Sequence, residues 1–367
     1  MCGGSAQGPE VRGPPIPARV PGVAAGPVAL RGGLPFGAVM ATAGASAVAG
    51  RCGMAPLAQP LLGLAILQAG WVTARGVARC SREFPVRWRS RWTLGPAREH
   101  CGFHTIPLGL AVIASGLLAL GAAAATRWPL LCAGICLGAA WLTAVFAVGR
   151  FAGSLAVRGV DLRSLDGTWF LVPAVLLGAA LATDHLAVQV EGPWVDALRG
   201  LAAGSAVLGG FGYWVIAVFA GLRIRRHGLG TGPLAPWWIA MGCAGLAAAA
   251  LGQVLRSRPP GLPAQWLADA TAMSVSAAIL LSVPVLLVSA RFLLLTCGLR
   301  TAGSWPPTFS TAVFASGALQ AGRVLHMPLL NTLGVGAAYA TLLFWCVTAA
   351  WNLKYTYSAW CAGGRRS

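Results

Sequence analysis

The stretch LDGTWFLVPAVLLGAALATDHLA, residues 165–187, decides how the whole chain is read. From Gly167 to Thr183 it carries no charged side chain, although Trp169 opens it and Pro173 stands inside it. It is either soluble core or a helix in lipid. Composition separates the two. Apolar residues make up 57% of the 367-residue chain and charged residues 10%, with a mean hydropathy of +0.71. A soluble domain carries roughly 25% charged residues, and so little charge cannot cover the apolar surface of a chain this size. Backbone groups in lipid must be satisfied within the segment, so the stretch is read as a membrane helix, with Trp169 in the interface belt and Pro173 as a kink near one mouth.

Ten stretches are long and apolar enough to cross about 30 Å of hydrocarbon. They are residues 33–50, 54–74, 102–124, 129–149, 167–187, 198–222, 234–254, 266–290, 308–325 and 329–351. Residues 1–30, rich in Pro and Gly, form a disordered lead without the apolar segment of a signal peptide. Residues 31–352 form the membrane domain, and residues 353–367 a short basic tail ending in CAGGRRS. The small-residue motif GICLG, with Gly134 and Gly138, is expected to pack helices within the subunit.

The chain has 27 basic and 9 acidic residues. With the N-terminus placed in the cytoplasm, only six basic residues (Arg51, Arg127, Arg199, Arg256, Arg258 and Arg323) fall on the far side, leaving 21 on the cytoplasmic side. This positive-inside bias puts both termini in the cytoplasm of a plasma-membrane protein. Basic residues between apolar runs fit lipid better than nucleic acid. The connection after the second span, with Trp88 and Trp92, reads as an interfacial segment on anionic lipid. Asp184, Glu191 and Asp196 are placed in an outer loop, which leaves the span centres free of ionisable groups. That favours a passive pathway over a coupled carrier, since coupling sites usually carry such groups. Ten scattered cysteines without a CxxC pair read as buried thiols.

The odd-numbered spans open alike: LRGGLPFGAVMATAGA, CGFHTIPLGLAVIASG, DGTWFLVPAVLLGAA, GPLAPWWIAMGCAG and SWPPTFSTAVFASG. Each has a proline near its start (Pro35, Pro107, Pro173, Pro236 and Pro307), followed by small residues. Proline weakens a helix locally and small residues let backbones approach. The pattern predicts an all-α integral membrane protein of ten transmembrane helices, arranged as five helical hairpins around a central pore. The bulkier even spans then face lipid. Hydroxyls suited to donating to an anion in the lumen are Thr42, Ser46, Thr105, Ser115, Thr168, Thr308, Ser310 and Thr311. Basic residues at the rim would concentrate anions there. His100 and His104 lack a third ligand and are not read as a metal site. No nucleophile elbow, phosphate loop or dinucleotide fingerprint stands between a strand and a helix, so neither an enzyme nor a cofactor is expected.

Together, GLPFGAVMATAG, GFHTIPLGLAVIASG, DGTWFLVPAVLLG, PWWIAMGCAGLAAAALG and WPPTFSTAVFASGALQAG resemble the tellurite-resistance/dicarboxylate transporter family, which includes slow anion channels and malate and sulfite transporters. The resemblance covers about residues 31–352. It implies a ten-helix anion pore, often trimeric, and substrates such as malate-like dicarboxylates, sulfite, tellurite, chloride or nitrate. It also implies a phenylalanine in the ninth helix that blocks the pore, matched here by Phe309, with Phe314 as the rival. The alternatives are a ten-helix metabolite exporter of inverted-repeat type and a non-transporting membrane protein.

Overall fold

The computed structural model describes residues 34–91, 102–124, 127–159, 162–228, 237–259, 261–296 and 305–363. These residues form ten α-helices: α1 (Leu34–Arg51), α2 (Ala55–Arg91), α3 (Thr105–Ala124), α4 (Arg127–Arg158), α5 (Leu171–Gln189), α6 (Trp194–His227), α7 (Trp238–Ser257), α8 (Ala264–Thr296), α9 (Trp305–Val324) and α10 (Pro328–Gly363). Their lengths alternate. The odd helices have 18 to 20 residues and the even ones 32 to 37. At 1.5 Å per residue the odd helices measure about 30 Å, the thickness of the hydrocarbon layer, and the even ones about 50 Å. Seven of the described helices have the length and hydropathy to cross a membrane. The protein is an all-helical membrane protein.

Each odd helix packs against the even helix that follows it, and against two other odd helices. The contacts α1–α3, α3–α5, α5–α7, α7–α9 and α9–α1 close a ring. Within it the helices run parallel. Trp305 lies beside Gly37 and Ala312 beside Gly44, in the same order along α9 and α1. Ser310 abuts Gly242, and further along the same two helices Gln320 bonds to Gln253. Leu108 abuts Gly178, and Gln189 further on bonds to the Leu118 carbonyl. An inverted-repeat exporter would set its two halves in opposite directions.

Burial follows the same alternation. The most apolar part of α7 is 94% buried and that of the α5 region 72%, whereas no even helix exceeds 33%. Leu67, Leu142, Leu208, Leu280 and Leu343, one on each even helix, are 63–76% exposed and face the lipid. Trp128, Trp194 and Trp266, exposed at the starts of α4, α6 and α8, form an aromatic belt at the end where the odd helices terminate.

Several sequence expectations change. Pro107, Pro173 and Pro307 stand third in their α-helices and Pro35 second. In a first turn the missing N–H has no intrahelical acceptor, so these prolines start helices instead of kinking them. Before Pro107 and Pro173 a 3-10 turn (Gly102–His104 and Gly167–Phe170) absorbs the change of geometry. Pro236 lies outside the described residues, as does the lead at 1–30. Trp169 is not in the interface belt: it is 3% exposed and packs edge-on against Phe151 at 5.1 Å. Asp184 is not in a loop but inside α5, 1% exposed. The basic connection after the second span continues α2 as helix through Arg91, and α10 runs on to Gly363, so most of the expected tail is helical. Among the described residues, a Cβ added at Gly134 or Gly138 would meet nothing within 4 Å, so GICLG makes no close internal contact there.

The closest approach in the ring is between α7 and α9. A Cβ on Gly245 would lie 2.6 Å from the Phe314 Cα, and one on Gly317 would collide with the Gly245 carbonyl. Overpacking of this kind costs about 1–3 kcal/mol. Gly317→Ala therefore lowers the apparent melting temperature of the detergent-solubilised protein, read by size exclusion after heating. Gly134→Ala, with open space around it, leaves it unchanged or slightly raised.

Candidate functional site

Two features of the ring carry chemistry, an apolar cluster around one phenylalanine and a polar chamber. The first centres on Phe309, the fifth residue of α9. It is 3% exposed and belongs to one apolar cluster that draws on all five odd helices, with Met40, Leu108, Leu177 and Cys243 among its members. Its ring edge lies 3.8 Å from the Cβ position of Gly44, about 15 Å along α1 and so roughly midway through the layer. A larger residue at 44 would compete for that space. Phe314 is only partly buried at the edge of the same cluster, and its backbone presses on Gly245.

Thr308 and Ser310, on either side of Phe309, are fully buried, and neither hydroxyl has a hydrogen-bond partner among the described residues. A buried hydroxyl without a partner costs about 1–3 kcal/mol, so two beside one phenylalanine call for an explanation. Four of the other expected lumen hydroxyls are engaged elsewhere. Thr42 Oγ1 accepts from the Trp345 indole N–H of α10 at 3.1 Å, and Ser46 donates to the Ala58 carbonyl of α2 at 2.7 Å. Both thus face the outer helices and not an axis. Thr168 caps its own turn by bonding to Asp166, and Thr311 donates to the Pro307 carbonyl of its own helix. Thr105 is buried beside His104, which meets Phe151 edge-on at 6.0 Å, and Ser115 is half-buried in α3.

The chamber lies where the odd helices end, with a volume of about 430 Å³. Arg51 from the end of α1, Arg256 from α7, Arg323 from α9 and Arg199 from α6 line it, together with His185, Gln253 and Gln320. Arg51 donates to the Ser316 carbonyl at 3.3 Å. Among the described residues Arg199, Arg256 and Arg323 make no ion pair. Behind the lining, Asp184 accepts from Gln253 Nε2 at 2.8 Å and from Ser257 Oγ at 2.7 Å. Gln320 Nε2 then donates to Gln253 Oε1 at 3.1 Å. This chain of bonds ties α5, α7 and α9 together at the mouth and fixes which way both amides point.

Along the sequence these arginines stand one by one, as the sparse side of a charge bias. A signal was present. Gln253 and Arg256 in α7 recur as Gln320 and Arg323 in α9, and Ala49-Gly50-Arg51 recurs as Ala321-Gly322-Arg323. Repeated polar residues at the same place in parallel helices mark a shared level in a ring.

No individually curated protein matches the chain by sequence comparison. The profile of the voltage-dependent anion channel family, SLAC1, matches residues 35–353, which span all ten described helices except the last turns of α10 and the first residue of α1. A parallel ring of short helices, a phenylalanine buried in an apolar cluster and an arginine-lined chamber thus occur in a chain that belongs to the voltage-dependent anion channel family, whose members transport anions through membranes.

Proposed function

We propose that the ten helices act as five hairpins whose odd members enclose an anion pathway, and that Phe309 closes it in the state described. The observation that carries this reading is the burial of Phe309 within the cluster that joins all five odd helices. An aromatic ring there blocks an ion by its volume and by offering no polar ligand. Displacing it would uncover the Thr308 and Ser310 hydroxyls, which supply donors to a passing anion and account for their lack of partners.

The two ends of the pathway attract anions by different means. The odd helices begin at one end, where their N-termini each present about half a positive charge. They finish at the chamber, where the arginines stand. The excess of basic residues at the opposite end supports a plasma-membrane protein with both termini in the cytoplasm, which makes the chamber its external mouth. The substrates are small anions, within the range from halide and nitrate to sulfite, tellurite and malate-like dicarboxylates. The chain is a transporter or channel and not an enzyme, and a trimer is the expected assembly.

Purified protein in liposomes tests the constriction. Phe309→Ala is expected to raise chloride efflux about tenfold or more, because each 1.4 kcal/mol removed from a barrier is a factor of ten. Phe314→Ala is expected to change it little. Adding Thr308→Val to Phe309→Ala should lower the flux again. Unchanged efflux in both alanine variants, with folding verified by size exclusion, would remove the plugged pathway.

A further inference from the structure

The chamber at the mouth is more than an electrostatic funnel. Three of its arginines come from α7, α9 and α1, consecutive members of the ring, and the fourth reaches in from α6. Like charges brought together without counter-ions repel, and a fold spends stability to hold them so. The obvious internal counter-ion is Asp184, but its two oxygens already accept from Gln253 and Ser257. It is 1% exposed and does not line the chamber. The guanidinium groups of Arg199, Arg256 and Arg323 are therefore left with unused donors, and the Arg199 Nε is buried without a partner.

Guanidinium presents paired N–H groups in a planar fork, which matches two oxygens of one anion and not a spherical ion. A single monovalent ion engages one fork well and leaves the others uncompensated. An anion with two charges and oxygens on opposite sides engages two forks at once. The volume of about 430 Å³ is more than ten times the roughly 30 Å³ share of one water, so such an ion fits with part of its hydration shell. The fixed orientation of Gln320 and Gln253 adds preset polar groups to the wall.

We infer that the chamber is a binding site for a divalent oxyanion, held by Arg256 and Arg323 with Arg51 and Arg199 beside them, and occupied before the ion reaches the constriction. The inference deepens the anion-pathway reading by giving the mouth a preferred ligand class. Its test needs no transport.

The full chain is placed in nanodiscs of zwitterionic phosphatidylcholine at low ionic strength and titrated calorimetrically with sulfate and, separately, with chloride. Sulfate is expected to bind saturably and at least about tenfold more tightly than chloride. Arg256→Gln and Arg323→Gln, both at exposed positions, should each weaken sulfate binding about tenfold or more. Arg323→Lys should recover part of the loss, and Arg150→Gln, on α4 outside the chamber, should change nothing. Sulfate binding no tighter than chloride, or indifferent to both glutamine variants, overturns the site. So does equal loss with Arg150→Gln. Repeating the titration with phosphatidylglycerol in the discs separates a dissolved ion from a lipid headgroup. Unchanged sulfate affinity supports the dissolved ligand, and competition by the lipid assigns the chamber to headgroup phosphate and overturns it. If sulfate binds as expected while Phe309→Ala leaves flux unchanged, the plugged pathway fails and the site stands. The reverse pattern leaves the pathway and removes the site.

Discussion

The structure depends on how closely the backbones of short parallel helices approach one another. Lipid gives no hydrophobic drive for helices to associate, so packing must come from contact area, and contact area is greatest where side chains are smallest. Gly245 and Gly317 bring α7 and α9 into backbone contact, Gly242 receives Ser310, and Gly44 receives Ala312 and Phe309. The alanine-rich faces of α5 and α7 complete the ring. Bulky residues at these places would push the helices apart and move Phe309 away from the cluster that seats it.

Parallel helices bring an electrostatic cost that an antiparallel bundle avoids. Five C-termini at one end amount to about half a negative charge each, which by itself would repel an anion. Four arginines at that level carry more charge than the helix ends and reverse the sign. Asp184 stays buried among Gln253 and Ser257, where its charge holds three helices together without facing the chamber. The outer helices have a separate task. They extend beyond the ring, present leucines to lipid, and at the other end place cations over aromatic rings, as with Arg75 over Trp71 at 4.2 Å and Lys354 over Trp351 at 5.6 Å.

Much of this was legible in the sequence, because hydropathy and proline spacing are local properties. Each of the ten apolar runs overlaps a described helix, seven of them long and apolar enough to cross a membrane, and the odd openings with Pro107, Pro173 and Pro307 are the starts of short helices. The prolines stand near the helix starts, as their spacing suggests, but they begin the helices instead of kinking them. The hydroxyls were harder. Thr42 and Ser46 sit on a short helix, yet they point to α10 and α2, and only the rotation of the helix about its axis decides that. The chamber was hidden for another reason. Arg51, Arg199, Arg256 and Arg323 belong to four separate helices, and a charge count adds them to a total without showing that they meet. Nothing local in the sequence reveals that Gln253 and Ser257 surround Asp184 inside α5.

The central claim is that the ring of short helices passes anions and excludes cations. The most direct measurement is the reversal potential of the purified chain in a planar bilayer under a steep potassium chloride gradient. Current that reverses near the chloride equilibrium potential is the expected result. Reversal near the potassium potential would contradict the account.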